Sequence, residues 1–504
     1  MPDLQKILSL VKKKHPEEEP KSVIAKAYSF AENAHKNQKR KSGEPYFNHC
    51  FETALTLAKW GLDAEVISAG LLHDTIEDGP GSEEEIKKEF GTEIAFLVDG
   101  VTKLGHFKYR GRNNKNDEAK AQTENFKKLI LALSEDIRVI LIKLADRLHN
   151  MKTLKALPAE KQKRIALETY EIYAPLAYRL GMTGLAGELE DLAFPYIYET
   201  EYDWLLKNVP EKYEKRMSYL NQVKPIIETE LKKNDINIKE ITFRAKRYSS
   251  LYKKLKRYEM SFEQIHDLVA FRIIEETVED CYKTLGVIHS LWPPLPGRIK
   301  DYIALPKPNG YQSLHTTVFC VDNKVVEFQI RTEQMNEEAE LGIAAHWAYA
   351  EKKGSKSYAK RITSVADRKE LFWVQQLREW QEQFKEGGET FINSLKVDFF
   401  KDRIFSVTPK GDVIDLPVGA TPVDFAYRIH SSLGHETIGA KVNGRIVPLN
   451  QSLQSGDIVE ILRQKGKKPS RDWLKFVKTS MAKDHIANEL RKNSIISRMI
   501  WRKK

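Results

Sequence analysis

Apolar residues recur at three- and four-residue intervals through the first 195 residues, which is the spacing of one face of an α-helix. Six segments carry this pattern: residues 23–34, 51–60, 66–73, 94–104, 126–133 and 137–148. Runs that alternate apolar and polar residues, as strands do, are nearly absent from this part of the chain. The pattern therefore predicts an all-α domain over residues 1–195.

The pattern changes in the next part of the chain. Residues 202–232 form a polar helical connection, and residues 236–247 then alternate in the manner of a strand. Two more strand-like runs lie on either side of Asp322-Asn323, a dipeptide that favours a hairpin turn. This mixture of strands and helices predicts an α+β domain over residues 196–390.

Short strands dominate residues 396–463. Turn residues at 409–411 and 443–444 predict two hairpins, and Thr421-Pro422 favours the start of one helix. A small domain of short strands with one helix is the predicted result.

Charge is distributed unevenly along the chain, whose net charge is +11. Residues 463–504 hold 14 Lys and Arg against 3 Asp and Glu, so the whole excess lies in this last segment, and a basic helical tail is predicted over residues 464–504. Trp473, Phe476 and Trp501 are interleaved with these cations, and such a mixture can neutralise RNA phosphates and stack on bases. The exposed end of an interrupted helical segment is the alternative interpretation.

The composition of the chain indicates its cellular compartment. No apolar run approaches the ~18 residues that a membrane span needs, and the charged N-terminus has no signal-peptide core. The three cysteines are far apart and form no CxxC pair, which excludes a disulfide framework and a thiolate zinc site. The sequence predicts a cytoplasmic protein with no membrane partner.

Three short segments of the helical domain combine imidazoles and carboxylates: RKSGEPYFNH, LLHDTIED and KLADRLHN. If a helix spans the second, positions 73, 74, 77 and 78 fall within an arc of about 140°. Charged groups clustered on an apolar helix are costly unless paired or metal-bound. A set suited to Mn²⁺, Zn²⁺ or Fe²⁺ is formed by His49, His73, Asp74 and Asp146. The remaining acids, Glu77 and Asp78, would move protons on a metal-bound water.

This order of motifs resembles the HD phosphohydrolase superfamily, and the flanking residues resemble the hydrolase domain of the bifunctional RelA/SpoT homologues. The resemblance implies removal of the 3′-pyrophosphate of (p)ppGpp with Mn²⁺. It also implies a nucleotide site formed by Arg40, Lys41, Asn150 and Thr153. The His-Asp pair that synthesis-only members have lost is intact here, which implies an active hydrolase.

A loop rich in glycine and proline begins at Pro296 and carries side chains that suit phosphate and a stacked base: Arg298, Lys300, Lys307 and Tyr311. The strand after the hairpin turn alternates polar and apolar residues, so Glu327, Gln329 and Arg331 share one face. Together they indicate a nucleotide site. The polar outer face of an edge strand is the alternative.

A second basic cluster has the inventory of a triphosphate site: Arg244, Lys246, Ser250 and Lys253. A solvated start of a helix is the alternative. Asp267 begins an apolar strand with Arg272 five residues on. An acid at that place, with Glu327 as its partner, is a natural Mg²⁺ ligand.

The segments DLVAFR, GRIKDYIALPKPNGYQSLHTT, VEFQIRT and GIAAHWAY resemble the (p)ppGpp synthetase domain of the same family. The resemblance implies a fold similar to nucleotidyltransferases that acts on ATP and GDP or GTP. It implies that Tyr311 stacks on guanine, that Asp267 and Glu327 hold Mg²⁺, and that Glu327 activates the 3′-hydroxyl. Further nucleotide contacts are implied at Asn309, Gln312 and His315. At two positions, Ala245 and Arg247, the residue differs from the one that is commonest in the family.

Residues 396–463 resemble a TGS domain, a small β-grasp module. The resemblance implies contacts with tRNA, at His430 among others, and with the ribosome; a structural role for His430 is the alternative. It also implies that the regulatory domains that follow TGS in long members are absent.

The sequence as a whole therefore predicts a multidomain protein: an all-α HD-type hydrolase domain, an α+β nucleotidyltransferase-like synthetase domain and a β-grasp TGS domain. The predicted function is that of a bifunctional alarmone enzyme of the stringent response. In the alternative interpretation, the protein has only one of the two catalytic activities. It then acts in addition as a nucleotide sensor that binds tRNA or the ribosome.

Overall fold

The fold is described from a computed structural model over residues 2–14, 21–77, 79–105, 136–262, 265, 268–307, 309–345 and 403–501. These residues form two compact units, one before and one after residues 346–402. Within the described ranges, no helix combines the length and the hydrophobicity that crossing a membrane requires.

The first domain is helical, as the apolar spacing predicts. Its described helices are α1 Leu4–Lys14, α2 Lys21–Ala34, α3 Phe47–Lys59, α4 Ala64–Leu72, α5 Glu83–Gly105, α6 Ile137–Lys152, α7 Ala159–Glu168, α8 Ala174–Arg179 and α9 Thr183–Ile197. Most side chains of α3 and α6 are buried, because these two helices pack against each other in the interior. The predicted helix over residues 126–133 lies outside the described residues.

Helix α4 ends earlier than predicted, and the helical arrangement expected for positions 73 to 78 is wrong. The helix stops at Leu72, and residues 73–77 form turns. Thr75 competes for the helical backbone, since its Oγ1 and its backbone N–H donate to the Leu72 carbonyl at 2.6 and 3.0 Å. A glycine at Gly79 then allows close backbone approach, because a Cβ there would lie 2.6 Å from the Thr75 oxygen. His73 and Asp74 consequently project from a helix end.

The second domain contains α10 Glu199–Asn208, α11 Pro210–Lys233, β1 Glu240–Ala245, α12 Tyr248–Arg257, β2 Val269–Glu275, α13 Val278–Leu291, β3 Lys300–Asp301, β4 Leu314–Phe319, β5 Val325–Thr332 and α14 Glu333–Leu341. The sheet order is β1-β2-β5-β4-β3, with β2 and β5 parallel and the other pairs antiparallel. Val326, Phe328 and Ile330 of β5 face the core cluster that α11 and α13 cover. The alternate residues of β5 therefore face the other side.

The turn between β4 and β5 confirms the predicted hairpin. Asp322 and Asn323 both have a φ of 56°. Positive φ at two successive residues is what a tight hairpin with the right-handed strand twist requires, and Asp and Asn adopt it more readily than most residues.

The helical and sheet domains belong to one compact unit and touch through backbone. A Cβ at Gly342 would lie 2.2 Å from the Leu180 carbonyl oxygen, so only glycine fits, and the N–H of Ile343 donates to the same oxygen at 2.9 Å. Arg247 donates from NH2 to the Gly184 carbonyl at 3.2 Å. Arg247, which differs from the residue commonest in the family, thus contacts the first turn of α9.

The second unit contains β6 Arg403–Val407, β7 Val413–Pro417, α15 Pro422–Ile429, α16 Ser431–His435, β8 Thr437–Val442, β9 Arg445–Val447, β10 Val459–Arg463 and α17 Ser480–Trp501. Its sheets are β10-β8-β9 and β6-β7. The hairpins at 409–411 and 443–444 are confirmed, and Thr421 and Asp424 form a capping box at the start of α15.

The segment after β10 packs on this unit, which the charge pattern did not predict. Asp424 accepts hydrogen bonds from the backbone N–H groups of Lys478 and Thr479 at 2.9 and 2.7 Å. Trp473 is 7% exposed and packs with Tyr427 and its neighbours. The expectation that Trp473 stacks on exposed bases is therefore wrong for this conformation. The side chain of Trp501 lies outside the described residues.

Candidate metal centre and nucleotide-binding face

Four predicted ligands converge between α3, the end of α4 and α6. The Nε2 of His49 lies 3.4 Å from Asp74 Oδ2 and 3.2 Å from Asp146 Oδ1. The Nε2 of His73 lies 3.3 Å from Asp74 Oδ1 and is buried without a hydrogen-bond partner among the described residues. An orphaned imidazole nitrogen facing two carboxylates fits a divalent cation, since buried polar atoms otherwise find partners. The four predicted residues thus form one cluster.

Hydrogen bonds around the cluster orient two of these ligands. The Nδ1 of His73 donates to the Gly70 carbonyl at 2.8 Å, which leaves the lone pair of Nε2 available to a cation. The Tyr46 hydroxyl donates to Asp74 Oδ2 at 2.9 Å. Burial opposes ionisation of Asp74, but the adjacent imidazoles of His73 and His49 hold its pKa well below the usual range. Asp74 is therefore a carboxylate at neutral pH.

Asp146 is held from both sides by residues of its own helix. Lys143 Nζ lies 2.7 Å from Oδ2, and Asn150 Nδ2 donates to Oδ1 at 2.5 Å. Although burial disfavours both charges, each ion shifts the pKa of the other, that of Asp146 downward and that of Lys143 upward. Lys143 was not among the predicted residues. Lys143 precedes Asp146 by three residues, which places both side chains on one face of the helix. This spacing could have identified Lys143 from the sequence.

A cavity of about 280 Å³ adjoins the cluster, and Asp146 lines both. All four predicted nucleotide-binding residues of the helical domain line it: Arg40, Lys41, Asn150 and Thr153. Arg40 NH2 donates to Asn150 Oδ1 at 2.5 Å, and Arg40 NH1 donates to Thr153 Oγ1 at 3.3 Å. The structure brings these residues together as the sequence predicts.

The cavity also has basic walls that sequence reasoning missed. Arg147 and Arg164 line it. The guanidinium of Arg147 forms an ion pair with Glu168 at 3.1 Å and lies 4.0 Å from the ring centre of Tyr173. Residues Thr169–Tyr173 form a π-helical turn, a feature that often occurs at functional sites. Together with Arg40 and Lys41, these cations suit a ligand with several phosphates.

The proposed proton carriers are less well placed. Glu77 is exposed in the turns after Asp74, and Asp78 lies outside the described residues. Their roles stay predictions.

One face of the sheet carries a chain of predicted polar residues. Arg244 NH1 donates to Gln329 Oε1 at 3.2 Å, and Gln329 Nε2 donates to Glu327 Oε1 at 3.0 Å. His315 Nδ1 lies 3.7 Å from the same carboxylate oxygen and His315 Nε2 lies 2.8 Å from the Tyr311 hydroxyl. Strand β5 lies between β2 and β4, so the edge-strand alternative is wrong.

The aromatic part of this face is packed between cations. The Nζ of Lys307 lies 4.8 Å from the ring centre of Tyr311 and 4.7 Å from that of Tyr302, which the sequence did not single out. Tyr311 is only 8% exposed. Burial, followed by the charges of Lys300 and Arg244, lowers the pKa of Lys307 to about 8. A half-buried lysine at this face gains its charge most readily when a phosphate approaches.

Glu340 of α14 also contacts the cations of this face. Its Oε1 lies 3.4 Å from Arg272 NH1 and 3.7 Å from Arg331 NH2. Arg331 is buried, and it also donates to Asn336 Oδ1 at 2.5 Å. Neither Glu340 nor Asn336 was predicted, and nothing in local spacing marks them.

The basic cluster at the start of α12 faces acids of α9. Lys253 Nζ lies 2.9 Å from Glu190 Oε1. The hydroxyl bonded to Asp191 is that of Ser249, at 2.7 Å, rather than that of the predicted Ser250, which is half-buried like Lys246.

The remaining predicted residues are placed as follows. Arg298 and Lys300 are exposed, Asn309 Nδ2 donates to the Tyr178 carbonyl at 3.2 Å, and Gln312 Nε2 donates to the Ile303 carbonyl at 3.2 Å. Asp267 lies outside the described residues, so the predicted magnesium pair with Glu327 stays a prediction.

His430 caps a helix. Its Nδ1 accepts from the Ser432 N–H at 3.2 Å at the start of α16, while the residue is exposed. A structural role is thus present, and its exposure leaves a tRNA contact as a prediction.

Comparison with known proteins covers all three domains. The HD domain family matches residues 27–183, the family described as the region found in RelA/SpoT proteins matches residues 243–354, and the TGS domain family matches residues 404–463. The chain is 49% identical to a GTP pyrophosphokinase of Myxococcus xanthus, across 92% of this chain and 60% of that protein.

Two further relatives carry hydrolase names. A guanosine-3′,5′-bis(diphosphate) 3′-pyrophosphohydrolase of Aquifex aeolicus is 49% identical across 97% of this chain and 67% of its own length. The bifunctional (p)ppGpp synthase/hydrolase SpoT of Escherichia coli is 44% identical across 94% of this chain and 66% of its own. The chain thus spans about two thirds or less of the length of these relatives.

Proposed function

The chain belongs to the RelA/SpoT family, and on that basis we propose that it both degrades and makes (p)ppGpp in the stringent response. The helical domain removes the 3′-pyrophosphate of (p)ppGpp. The sheet domain transfers pyrophosphate from ATP to the 3′-hydroxyl of GDP or GTP.

The proposed hydrolase activity is supported most directly by one observation: Asp146 belongs both to the buried His–Asp cluster and to the wall of the basic cavity. A divalent cation would be held by His49, His73, Asp74 and Asp146, and Mn²⁺ suits this mixed set. When bound, such a cation supplies a water of lowered pKa at neutral pH. Arg40 and Lys41 hold the nucleotide in the cavity, and Glu77 and Asp78 move protons.

The synthetase proposal rests on the polar face of the sheet. Transfer of phosphoryl groups depends mostly on positioning and on neutralising charge. Arg244, Lys246 and Lys253 hold the ATP tail, and Tyr311 orients the guanine base. Glu327 accepts the proton of the attacking 3′-hydroxyl and, with Asp267, would hold Mg²⁺.

A single-activity protein is the second candidate, and one observation favours it. Carboxylates of Glu190 and Glu340 already pair with Lys253, Arg272 and Arg331, all of which the synthetase would need for nucleotides. In this candidate the sheet domain only senses nucleotides.

Chromatography of the purified protein distinguishes the candidates. ATP and GDP with Mg²⁺ are expected to yield ppGpp and AMP, and ppGpp with Mn²⁺ is expected to yield GDP and pyrophosphate. Asp74→Asn is expected to abolish hydrolysis while synthesis persists, because the two sites lie on different domains. Glu89→Gln, a surface acid of α5 paired with Lys26, is the matched control. Hydrolysis that resists a chelator would overturn the metal assignment.

For the second unit we propose a contact with tRNA on the ribosome. It is supported by the match to the TGS domain family and by the exposed lysines that follow β10.

A further inference from the structure

His149 lies between a metal ligand and a nucleotide-binding residue of the helical domain. Its Nδ1 lies 2.8 Å from the Nδ1 of His49 and 3.0 Å from NH1 of Arg40. The two imidazole rings have centres 4.9 Å apart. A single ring nitrogen of His149 therefore faces both groups.

The chemistry of the three side chains fixes the direction of both hydrogen bonds. A guanidinium has donors and no acceptor, so Nδ1 of His149 must carry the lone pair. His49 must then donate from its own Nδ1, which leaves its Nε2 directed at Asp74 and Asp146.

The backbone places this acceptor on the same helical turn as other residues of the site. His149 is three residues after Asp146 on α6, and its carbonyl accepts from Thr153 Oγ1 at 3.1 Å. Thr153 in turn accepts from Arg40 NH1. Arg40 is thereby held by three residues of this stretch, His149, Asn150 and Thr153, and the first of them also holds His49.

We propose that His149 is a positioning residue, which orients His49 for the metal ion and Arg40 for the nucleotide through one shared acceptor atom. The part of this inference that concerns Arg40 rests on the proposed hydrolase, whereas the part that concerns His49 requires only that the cluster binds a cation. Neither role requires His149 to contact substrate.

Replacement of His149 by Asn and by Leu tests the shared acceptor. The Oδ1 of an asparagine can occupy the position of Nδ1 and accept both hydrogen bonds, whereas leucine fills a similar space and accepts none. His149→Leu is expected to weaken Mn²⁺ binding by about 10- to 100-fold, the usual effect of losing a group that orients a ligand. His149→Asn is expected to stay within about threefold of the unsubstituted protein.

Mn²⁺ binding is measured by the electron paramagnetic resonance signal of the free ion. The same titration is carried out on Asp74→Asn and subtracted from that of each protein, so that Mn²⁺ bound near Glu327 is not counted. Circular dichroism and thermal melting without metal show whether His149→Leu is folded. Lys152→Ala, which removes an exposed cation of the same helix, is the control that should bind Mn²⁺ normally.

The KM for ppGpp at saturating Mn²⁺ then reports on Arg40. It should rise in His149→Leu and return in His149→Asn. Normal Mn²⁺ affinity in folded His149→Leu would overturn the proposal, as would equal losses in the Asn and Leu variants. If the unsubstituted protein hydrolyses no ppGpp, the proposed function fails, but the Mn²⁺ titrations still decide the role of His149 toward His49.

Discussion

Tyr311 is packed into the polar face of the sheet, and we propose that its ring also stacks on a guanine base. Its ring is buried between Lys307 and Arg331, and its hydroxyl bonds to His315. Tyr311→Ala should weaken binding of a guanosine nucleotide by about 1–3 kcal/mol, the value of base–aromatic stacking in nucleic-acid complexes. Tyr311→Phe keeps the ring and should retain most of the affinity. Calorimetric titration with GDP measures both, and equal losses would show that the hydroxyl, not the ring, matters.

Glu327 should affect turnover rather than binding, because a proposed proton acceptor acts on the reacting hydroxyl. Glu327→Gln is expected to slow synthesis by roughly 10²–10⁴-fold, the usual contribution of general acid–base catalysis. Glu333→Gln, an exposed acid just after the same strand, is the control. Loss of GDP affinity in Glu327→Gln, seen in the same titration, would assign Glu327 to binding instead.

Lys307 predicts a pH dependence of nucleotide binding. Because its pKa is lowered to about 8, the ammonium that attracts phosphate is lost as pH rises through that value. His315 nearby stays neutral there, since burial and the charge of Lys307 hold its pKa well below the usual range. GDP affinity should therefore fall above pH 8, by up to about tenfold per pH unit. Lys307→Arg should remove this fall, and an unchanged profile would contradict the assignment.

At the scale of elements, helix α14 links the polar face of the sheet with the helical domain. Glu340 pairs with Arg272 and Arg331, and a Cβ at Gly184 in the first turn of α9 would lie 2.1 Å from Glu340 Oε2. The Glu340 carboxylate thus pairs with two cations that the proposed synthetase would use to bind nucleotide phosphates. Glu340→Gln should tighten ATP binding by several-fold, because a neutral amide competes less with phosphate.

The control for this variant lies on the same helix. Glu338→Gln alters a half-buried acid whose carboxylate accepts a hydrogen bond from Gln334, and it should leave ATP affinity unchanged. Fluorescence titration with a labelled ATP analogue measures both variants. Weaker ATP binding in Glu340→Gln would mean that Glu340 orients the two arginines rather than competing for them.

Elements were predicted well where local chemistry is decisive. The hairpin at Asp322-Asn323 and the helix start at Thr421-Pro422 depend on residues adjacent in sequence, so the pattern was sufficient. The end of α4 was missed because the Thr75 side chain competes for the Leu72 carbonyl, and apolar spacing does not register that competition.

At the scale of the whole molecule, the basic segment after β10 has two parts. Trp473 is packed against the second unit, whereas Lys465, Lys467 and Lys468 are exposed. Replacing these three lysines by glutamine should weaken tRNA binding and lower the slope of log affinity against log salt by about 2 to 3. Truncation after Leu462 is a poorer test, since it would uncover the apolar groups that Trp473 covers. An unchanged slope would show that these charges do not contact phosphate.

Sequence alone was enough to predict the order of the three domains, the family motifs and the four residues of the buried His–Asp cluster. These follow from local periodicity and from residue types whose chemistry allows few alternatives, so His49 and Asp146 could be paired although 97 positions separate them. The groups that hold these residues in place could be identified only from the tertiary structure. His149 between His49 and Arg40, and Glu340 between Arg272 and Arg331, depend on distances between elements, and a linear pattern carries no such distances.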